Sequence, residues 1–184
     1  MRAGLILETR RLALVRWDPG DLDWLCRLHA DPAVQRFIER GGKPAPRDVL
    51  ARKLDWWIEH ERRHGFTKWK VVERDGGAPV GRAGLELLPE MGAAELGFTF
   101  ARQVWGRGYA TEVAHALVAW AWASTALAEI LGIAHVGNAA SRRVLEKLGM
   151  RERERRPYHG MPFVFYALPR PAEAPRAADI IPGR

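Results

Sequence analysis

The stretch Gln103-Val-Trp-Gly106-Arg-Gly108-Tyr-Ala-Thr-Glu112 constrains the fold of this chain more than any other. It follows an apolar run, Ala94 to Phe100. It opens a segment of helical periodicity whose apolar face is Ala110, Val113, Ala114, Leu117, Val118 and Ala121. Two glycines one residue apart, between a strand and a helix, let the backbone turn tightly and leave its N–H groups uncovered. Those groups, together with the positive end of the helix dipole, make a site for phosphate oxygens. A βα unit that holds a phosphorylated cofactor is the first expectation.

Two other glycine-rich designs fail on particular residues. A dinucleotide turn needs Gly or Ala at the end of G-x-G-x-x-G, near the start of a βαβ unit. Here that position is Thr111, past the middle of the chain. A P-loop needs G-x-x-x-x-G-K-[ST]; Gly76 to Gly81 continues with Arg82-Ala83 and lacks both the lysine and the hydroxyl.

The pattern Gln103-x-x-Gly106-x-Gly108 instead resembles the acetyl-CoA signature of the GNAT N-acetyltransferases, [Q/R]-x-x-G-x-[G/A]. About thirty residues on, Asn138-Ala-Ala-Ser141-Arg-Arg-Val-Leu-Glu-Lys-Leu-Gly149-Met150 is similar to a second motif of that family, with Met150 in place of a final Phe. The run Glu8 to Arg16, followed by Asp21 to Ala30, Asp31-Pro32 and Arg36-Phe37-Ile38, resembles the opening of the RimJ/RimL-type branch. The resemblance covers roughly residues 8 to 168. It implies a single-domain α/β (α+β) GNAT fold: a mixed, mostly antiparallel central sheet flanked by helices. The strands expected over 94–100 and 130–135, fourth and fifth in the sequence reading, splay apart in such a fold. It also implies acetyl-CoA as donor, transfer to a primary amine (a protein N-terminus or a small molecule) within a ternary complex, and a possible homodimer.

Strand and helix signals give the same order without the resemblance. Alternation over 11–16 reads as a strand, and Asp21 is placed to cap a helix to Ala30 that Asp31-Pro32 interrupts. A helix over 47–64 closes at Gly65. Strands over 67–73 and 80–87 flank the turn Asp75-Gly-Gly77. Strand 130–135, helix 138–148 and strands near 151–157 and 163–168 follow. Arg151 to Arg156 alternates in sign and reads as a solvated strand face. From Pro169 onward, proline and alanine dominate and a flexible tail, residues 169–184, is expected.

Acetyl transfer from a thioester to an amine requires that the cofactor be held, the amine deprotonated, the carbonyl oxygen stabilised and the leaving thiolate protonated. By resemblance, the pyrophosphate lies against the backbone of Trp105, Gly106, Arg107, Gly108, Tyr109 and Ala110. Thr111 adds a hydroxyl, and Arg102 or Arg107 offsets phosphate charge. The pantetheine arm adds to the free strand edge at Phe98, Thr99 and Phe100, whose rings also suit plain core packing. Asn138 reads both as a helix N-cap and as a pantetheine ligand. Ser141 is the candidate proton donor, because the position where many family members carry a catalytic tyrosine is Leu145 here. Glu95, at the start of its strand, is the candidate base, Glu86 the reserve, and His135 a further possibility. Phe37, Ile38, Glu86 and Tyr158, with His159, are placed to line the acceptor pocket.

Composition sets outer bounds. The chain has 184 residues, 47% hydrophobic and 28% charged, enough for one well-buried domain. No apolar run spans a bilayer and the amino terminus is too short for a signal peptide. The lone Cys26 reads as a small core residue, and a reducing cytoplasm fits. A net charge of +7 favours polyanions, CoA among them. No basic block with interleaved aromatics points to nucleic acid. The alternative is a non-catalytic CoA-sensing or nucleic-acid-binding module of the same fold. His60-Glu61-Arg62-Arg63-His64 also fits the zinc-protease signature H-E-x-x-H, but Gly65 ends the helix and two arginines fill its middle, so no metal site is expected.

Overall fold

Alternating apolar side chains build one eight-stranded sheet, and periodic ones lay five helices on its two faces. The computed structural model describes residues 4–174. In chain order these are β1 Leu5–Glu8, β2 Leu12–Val15, α1 Leu22–Ala30, α2 Pro32–Gln35, α3 Arg47–His64, β3 Lys68–Glu73, β4 Pro79–Leu88, β5 Ala93–Phe100, α4 Tyr109–Ser124, β6 Glu129–His135, α5 Ala139–Lys147, β7 Arg151–Tyr158 and β8 Met161–Pro169. The strands lie in the order β1-β2-β3-β4-β5-β6-β8-β7. Every neighbouring pair is antiparallel except β5 and β6, which are parallel and joined through α4.

That parallel pair is the defect around which the fold is arranged. Its ladder has two positions only, Ala94 opposite Ile130 and Glu95 opposite Leu131. Beyond them the strands separate, leaving the rest of β5 without a partner on that side.

The period of two along β4 and β5 divides the sheet into unlike faces. Ala83, Leu85, Ala94 and Leu96 join Val113, Ala114, Leu117 and Ala121 of α4 in the main core. The opposite face carries Arg82, Gly84 and Glu86 on β4, in register with Thr99, Gly97 and Glu95 on β5. On that side α1 and α3 enclose a second core of Trp17, Leu25, Leu50, Leu54 and Trp57, in which the Trp17 and Trp57 rings stack at 5.5 Å.

Several local expectations hold, and others change. Gly65 closes α3 at φ +77°, and its N–H donates to the Glu61 carbonyl. β1 is an additional edge strand, and Asp31 does not merely interrupt: its carboxylate accepts from Ala33 N and caps α2. Asp21 occupies the N-cap position of α1 without a capping bond, because its carboxylate is held by Lys70 Nζ at 2.6 Å. Pro169 ends β8. Arg170 donates to the carbonyls of Trp122, Thr125 and Leu127, tying the chain to the end of α4. The expected tail lies, from residue 175, outside the described residues.

His60 spends both ring nitrogens on backbone, Nδ1 with the Phe66 carbonyl at 2.7 Å and Nε2 with Leu87 N at 3.2 Å. The H-E-x-x-H run therefore fastens α3 to β4.

α1 and α2 are joined through a buried polar contact, His29 Nδ1 to Gln35 Oε1 at 2.9 Å. The amide oxygen only accepts, so Nδ1 carries the proton. Burial, and then the charge of Arg82, push the His29 pKa down to about 4, with the Gln35 bond opposing them. An unfolded histidine binds its proton near pH 6.5, so stability is full above that value and falls as pH drops toward 4. The expected loss from this group is on the order of 3 kcal/mol. Urea unfolding between pH 7.5 and 5 should show a steeper decline in the native protein than in His29→Gln. Parallel declines would refute the assignment.

Candidate active site

The opening between β5 and β6 forms a cleft of about 750 Å³. One wall is the unpaired edge of β5 from Leu96 to Phe100, and the other is Ile133, Ala134 and His135 of β6. Gly106, Gly108 and the first turn of α4 also line it, as do Phe37, Ile38, Tyr158 and His159.

At the glycine end, Gly106 and Gly108 have φ of +76° and +77°, values that favour glycine. Gly108 is the N-cap of α4 and no side chain caps the helix, so its first N–H groups are open to the cleft along with Ala110 and Thr111. The first turn is fixed from behind. Glu112 accepts from Thr9 Oγ1 at 2.6 Å, Arg11 N at 2.8 Å and Arg11 Nε at 2.6 Å, and Tyr109 donates to Glu73 at 2.7 Å. The Trp105 indole donates to the Phe100 carbonyl at 2.7 Å, holding the loop against the end of β5. A phosphorylated group fits this end: uncapped N–H groups, no side chain in the way and a rigid support.

Of the residues singled out from sequence for cofactor, catalysis or acceptor, all but Arg102 and Arg107 line the cleft. Arg107 turns instead toward Glu73, at 3.6 Å. Phe100 is buried in the α4-side core and Phe98 packs against it, so their rings are structural while their backbone faces the opening.

α5 presents Asn138 and Ser141. Asn138 Oδ1 accepts from Ser141 N at 3.1 Å, so the amide oxygen is taken by the helix cap. Leu145 is fully buried and sits over Gly132; a Cβ there would meet its methyls at 2.7 and 2.9 Å. The place of a tyrosine is thus filled with packed hydrocarbon. Gly137 N donates to His135 Nδ1 at 3.0 Å, so that lone pair is engaged and Nε2 carries the hydrogen. Tyr158 donates to Glu90 at 3.0 Å, and burial, with that contact and the Glu90 charge, pushes its pKa up to about 12.

On the face toward α3, sequence reasoning missed the cations. Lys68 Nζ lies 2.6 Å from Glu95 Oε2 and 3.1 Å from Glu86 Oε2, and Lys53 Nζ lies 3.0 Å from Glu86 Oε1. Glu86 and Glu95 are directly opposed across β4 and β5, a repulsive pair unless a cation lies between them. Lys68 reaches them by lying across glycines: a Cβ on Gly97 would stand 2.6 Å from its Cε, and Gly84 is its direct partner on β4. The signal was present as charged residues alternating with glycines on one strand face, Arg82-x-Gly84-x-Glu86 and Glu95-x-Gly97. Burial alone would raise the Glu86 pKa, but Lys68 and Lys53 outweigh it and hold the carboxyl near 2. Burial works against the Lys68 charge too, and Glu95 and Glu86 outweigh it, so its pKa rises.

Residues 11–151 match the family model for the acetyltransferase (GNAT) domain. The uncharacterized protein YkkB of Bacillus subtilis is 30% identical over a stretch covering 53% of this chain and 58% of that one. The match thus spans little more than half the length of that relative. The uncharacterized N-acetyltransferase p20 of Bacillus licheniformis is 25% identical over 79% of this chain and 82% of that one. Among solved structures, RimL, a ribosomal L7/L12 α-N-protein acetyltransferase in complex with coenzyme A, superimposes with a TM-score of 0.75. Its identity is 16%, over 90% of this chain and 97% of that one, so it shares the fold.

Lys68 is expected to be the residue on which the charged floor depends. Lys68→Met removes the cation that bridges the two facing carboxylates, leaving Lys53 on Glu86 and Arg82 at longer range, and should lower stability at pH 7 by roughly 3–5 kcal/mol. Denaturant unfolding measures this; a loss below about 1 kcal/mol would mean that water already screens the cluster.

Proposed function

The chain belongs to the GNAT acetyltransferase family and is an acetyl-CoA-dependent acyltransferase, and we propose that it moves the acetyl group directly onto a primary amine in a ternary complex. The observation that carries this reading is the parting of β5 from β6 after two paired positions, in line with the uncapped first turn of α4. An extended pantetheine arm takes the place of the missing ladder beside Phe98, Thr99 and Phe100. The pyrophosphate meets the N–H groups from Trp105 to Ala110, and the Thr111 hydroxyl supports it. Arg107 contributes through its backbone, its side chain lying 3.6 Å from Glu73.

The acceptor enters past Phe37, Ile38 and Tyr158. Glu95 is the base: Lys68 holds its Oε2, and its Oε1 lies beside Gly97, 3.3 Å from where a Cβ would be. That oxygen takes the ammonium proton, directly or through one water. The amine nitrogen then attacks the thioester carbon, whose oxygen faces free N–H groups of β5, and the C–S bond breaks. The thiolate takes a proton from Ser141 Oγ or from a water beside it, and the second proton, released by the nitrogen as it becomes an amide, restores that donor. Ser141 lines the cleft and its hydroxyl has no bond among the described residues. Glu86, neutralised between Lys53 and Lys68, orients the floor and moves no proton.

Calorimetric titration with acetyl-CoA, run beside ATP, tests the donor; thiol release over a panel of amines and peptide N-termini tests the transfer. Gly108→Val forces a β-branched residue to φ near +77° and should weaken acetyl-CoA binding at least tenfold. Unchanged affinity would remove the phosphate from that loop. Glu95→Gln should lower kcat by about 10²-fold or more while acetyl-CoA affinity holds. Ser141→Ala should reduce turnover more than cofactor affinity; equal turnover would reduce Ser141 to a helix residue.

A further inference from the structure

The floor of the cleft holds more positive than negative charge. Lys53, Lys68 and Arg82 contribute three cations, Glu86 and Glu95 two anions, and all five line the cleft. The carboxylates are already spoken for. Glu86 divides its oxygens between Lys53 and Lys68, and Glu95 binds Lys68. Arg82 is left over. Its Nε is closed to solvent and without a hydrogen-bond partner among the described residues, and its guanidinium rests on the ring face of Trp57, 4.9 Å from the centroid.

A guanidinium does not shed its proton at neutral pH, and burying one without an anion is costly. Burial does pull the Arg82 pKa down, against the attraction of Glu86 and Glu95. A ring face offsets part of the cost but satisfies none of the five N–H donors. The neighbouring His29 adds no acceptor charge, since it is buried and neutral.

Arg82 is also in the wrong place for the donor's phosphates. It shares its sheet face with Glu86, Gly97 and Thr99, toward α3, whereas the glycine loop feeds α4 on the opposite face. What reaches Arg82 comes from the acceptor side. The charge left over is that of one guanidinium, and a single carboxylate group meets it in place, its two oxygens matching the planar fork.

We propose that the acceptor is an amine that itself carries a carboxylate, received by the Arg82 fork while its ammonium faces the free oxygen of Glu95. Trp57 positions Arg82, since its Nε1 lies 3.4 Å from Glu86 Oε2 while its face carries the guanidinium. The planar fork matches a carboxylate in two parallel bonds, which a lysine at this position would not provide. This inference rests on the acetyltransferase reading and names its substrate class.

The test uses the full chain with acetyl-CoA and three sets of acceptors. These are free amino acids, β-alanine and γ-aminobutyrate among them; the carboxamide of each; and the peptide amides Ala-Asp and Ala-Asn, which separate a small amino acid from a protein N-terminus followed by an acid. Thiol release gives kcat/KM, and calorimetry on the CoA-loaded protein gives acceptor affinity. The expected result is a preference of at least tenfold for a carboxylate over its carboxamide in one of the pairs, both in kcat/KM and in affinity. In Arg82→Gln the gap should shrink to about twofold. Arg82→Lys, which keeps the charge without the fork, should retain part of it, and serves where the Gln variant does not fold. Equal or better use of the carboxamides, binding of neither form, or a gap that survives in Arg82→Gln overturns the proposal. Absence of acetyl-CoA binding in the native protein is a different outcome, since it brings down the transferase reading on which this one stands.

Discussion

The parallel contact between β5 and β6 is the constraint on which the rest of the molecule depends. A parallel pair needs a crossover, and α4 supplies it on one face of the sheet. Because the ladder stops after Glu95 and Leu131, the crossover begins at a loop that faces an open gap instead of a closed sheet. The uncapped helix start, the free edge of β5 and the cap of α5 then converge on one cleft without any long insertion. A full ladder between the two strands would abolish it.

The second determinant is the unlike character of the two sheet faces. The α4 side is an ordinary hydrocarbon core. The α3 side substitutes ions for part of that core, and glycines at 84 and 97 make the room. Gly84 admits no side chain at all, since a Cβ would stand 1.9 Å from the Thr67 carbonyl oxygen. Replacing a packed interior by paired ions seldom adds stability. The cluster lies between two hydrocarbon cores, one on each face of the sheet.

Much of this was legible in the chain itself. The glycine junction, the Gly65 stop and the Asn138 cap are short-range signals, and each has a local geometric cause. β1 was missed because four half-exposed residues at an edge carry no strong alternation. The splay of β5 from β6 came from the family resemblance and not from patterning, since local sequence does not encode how far a non-local ladder extends. Lys68 and Arg82 were passed over for a similar reason. A lysine between Thr67 and Trp69 reads as a surface charge until the register brings Glu86 and Glu95 beneath it. Arg107 shows a related limit: its side chain lies 3.6 Å from Glu73, more than thirty residues upstream, a neighbour that the motif alone does not announce.

A sheet joined across its middle by two residue pairs behaves as two leaves, β1 to β5 and β6 to β8, with helices along the spine. A ligand lying between them touches both leaves at once and takes over hydrogen bonds that the chain does not make for itself. It therefore acts as a missing structural member as well as a reactant, and the resistance of the fold to heat and proteolysis would follow the ligand's concentration.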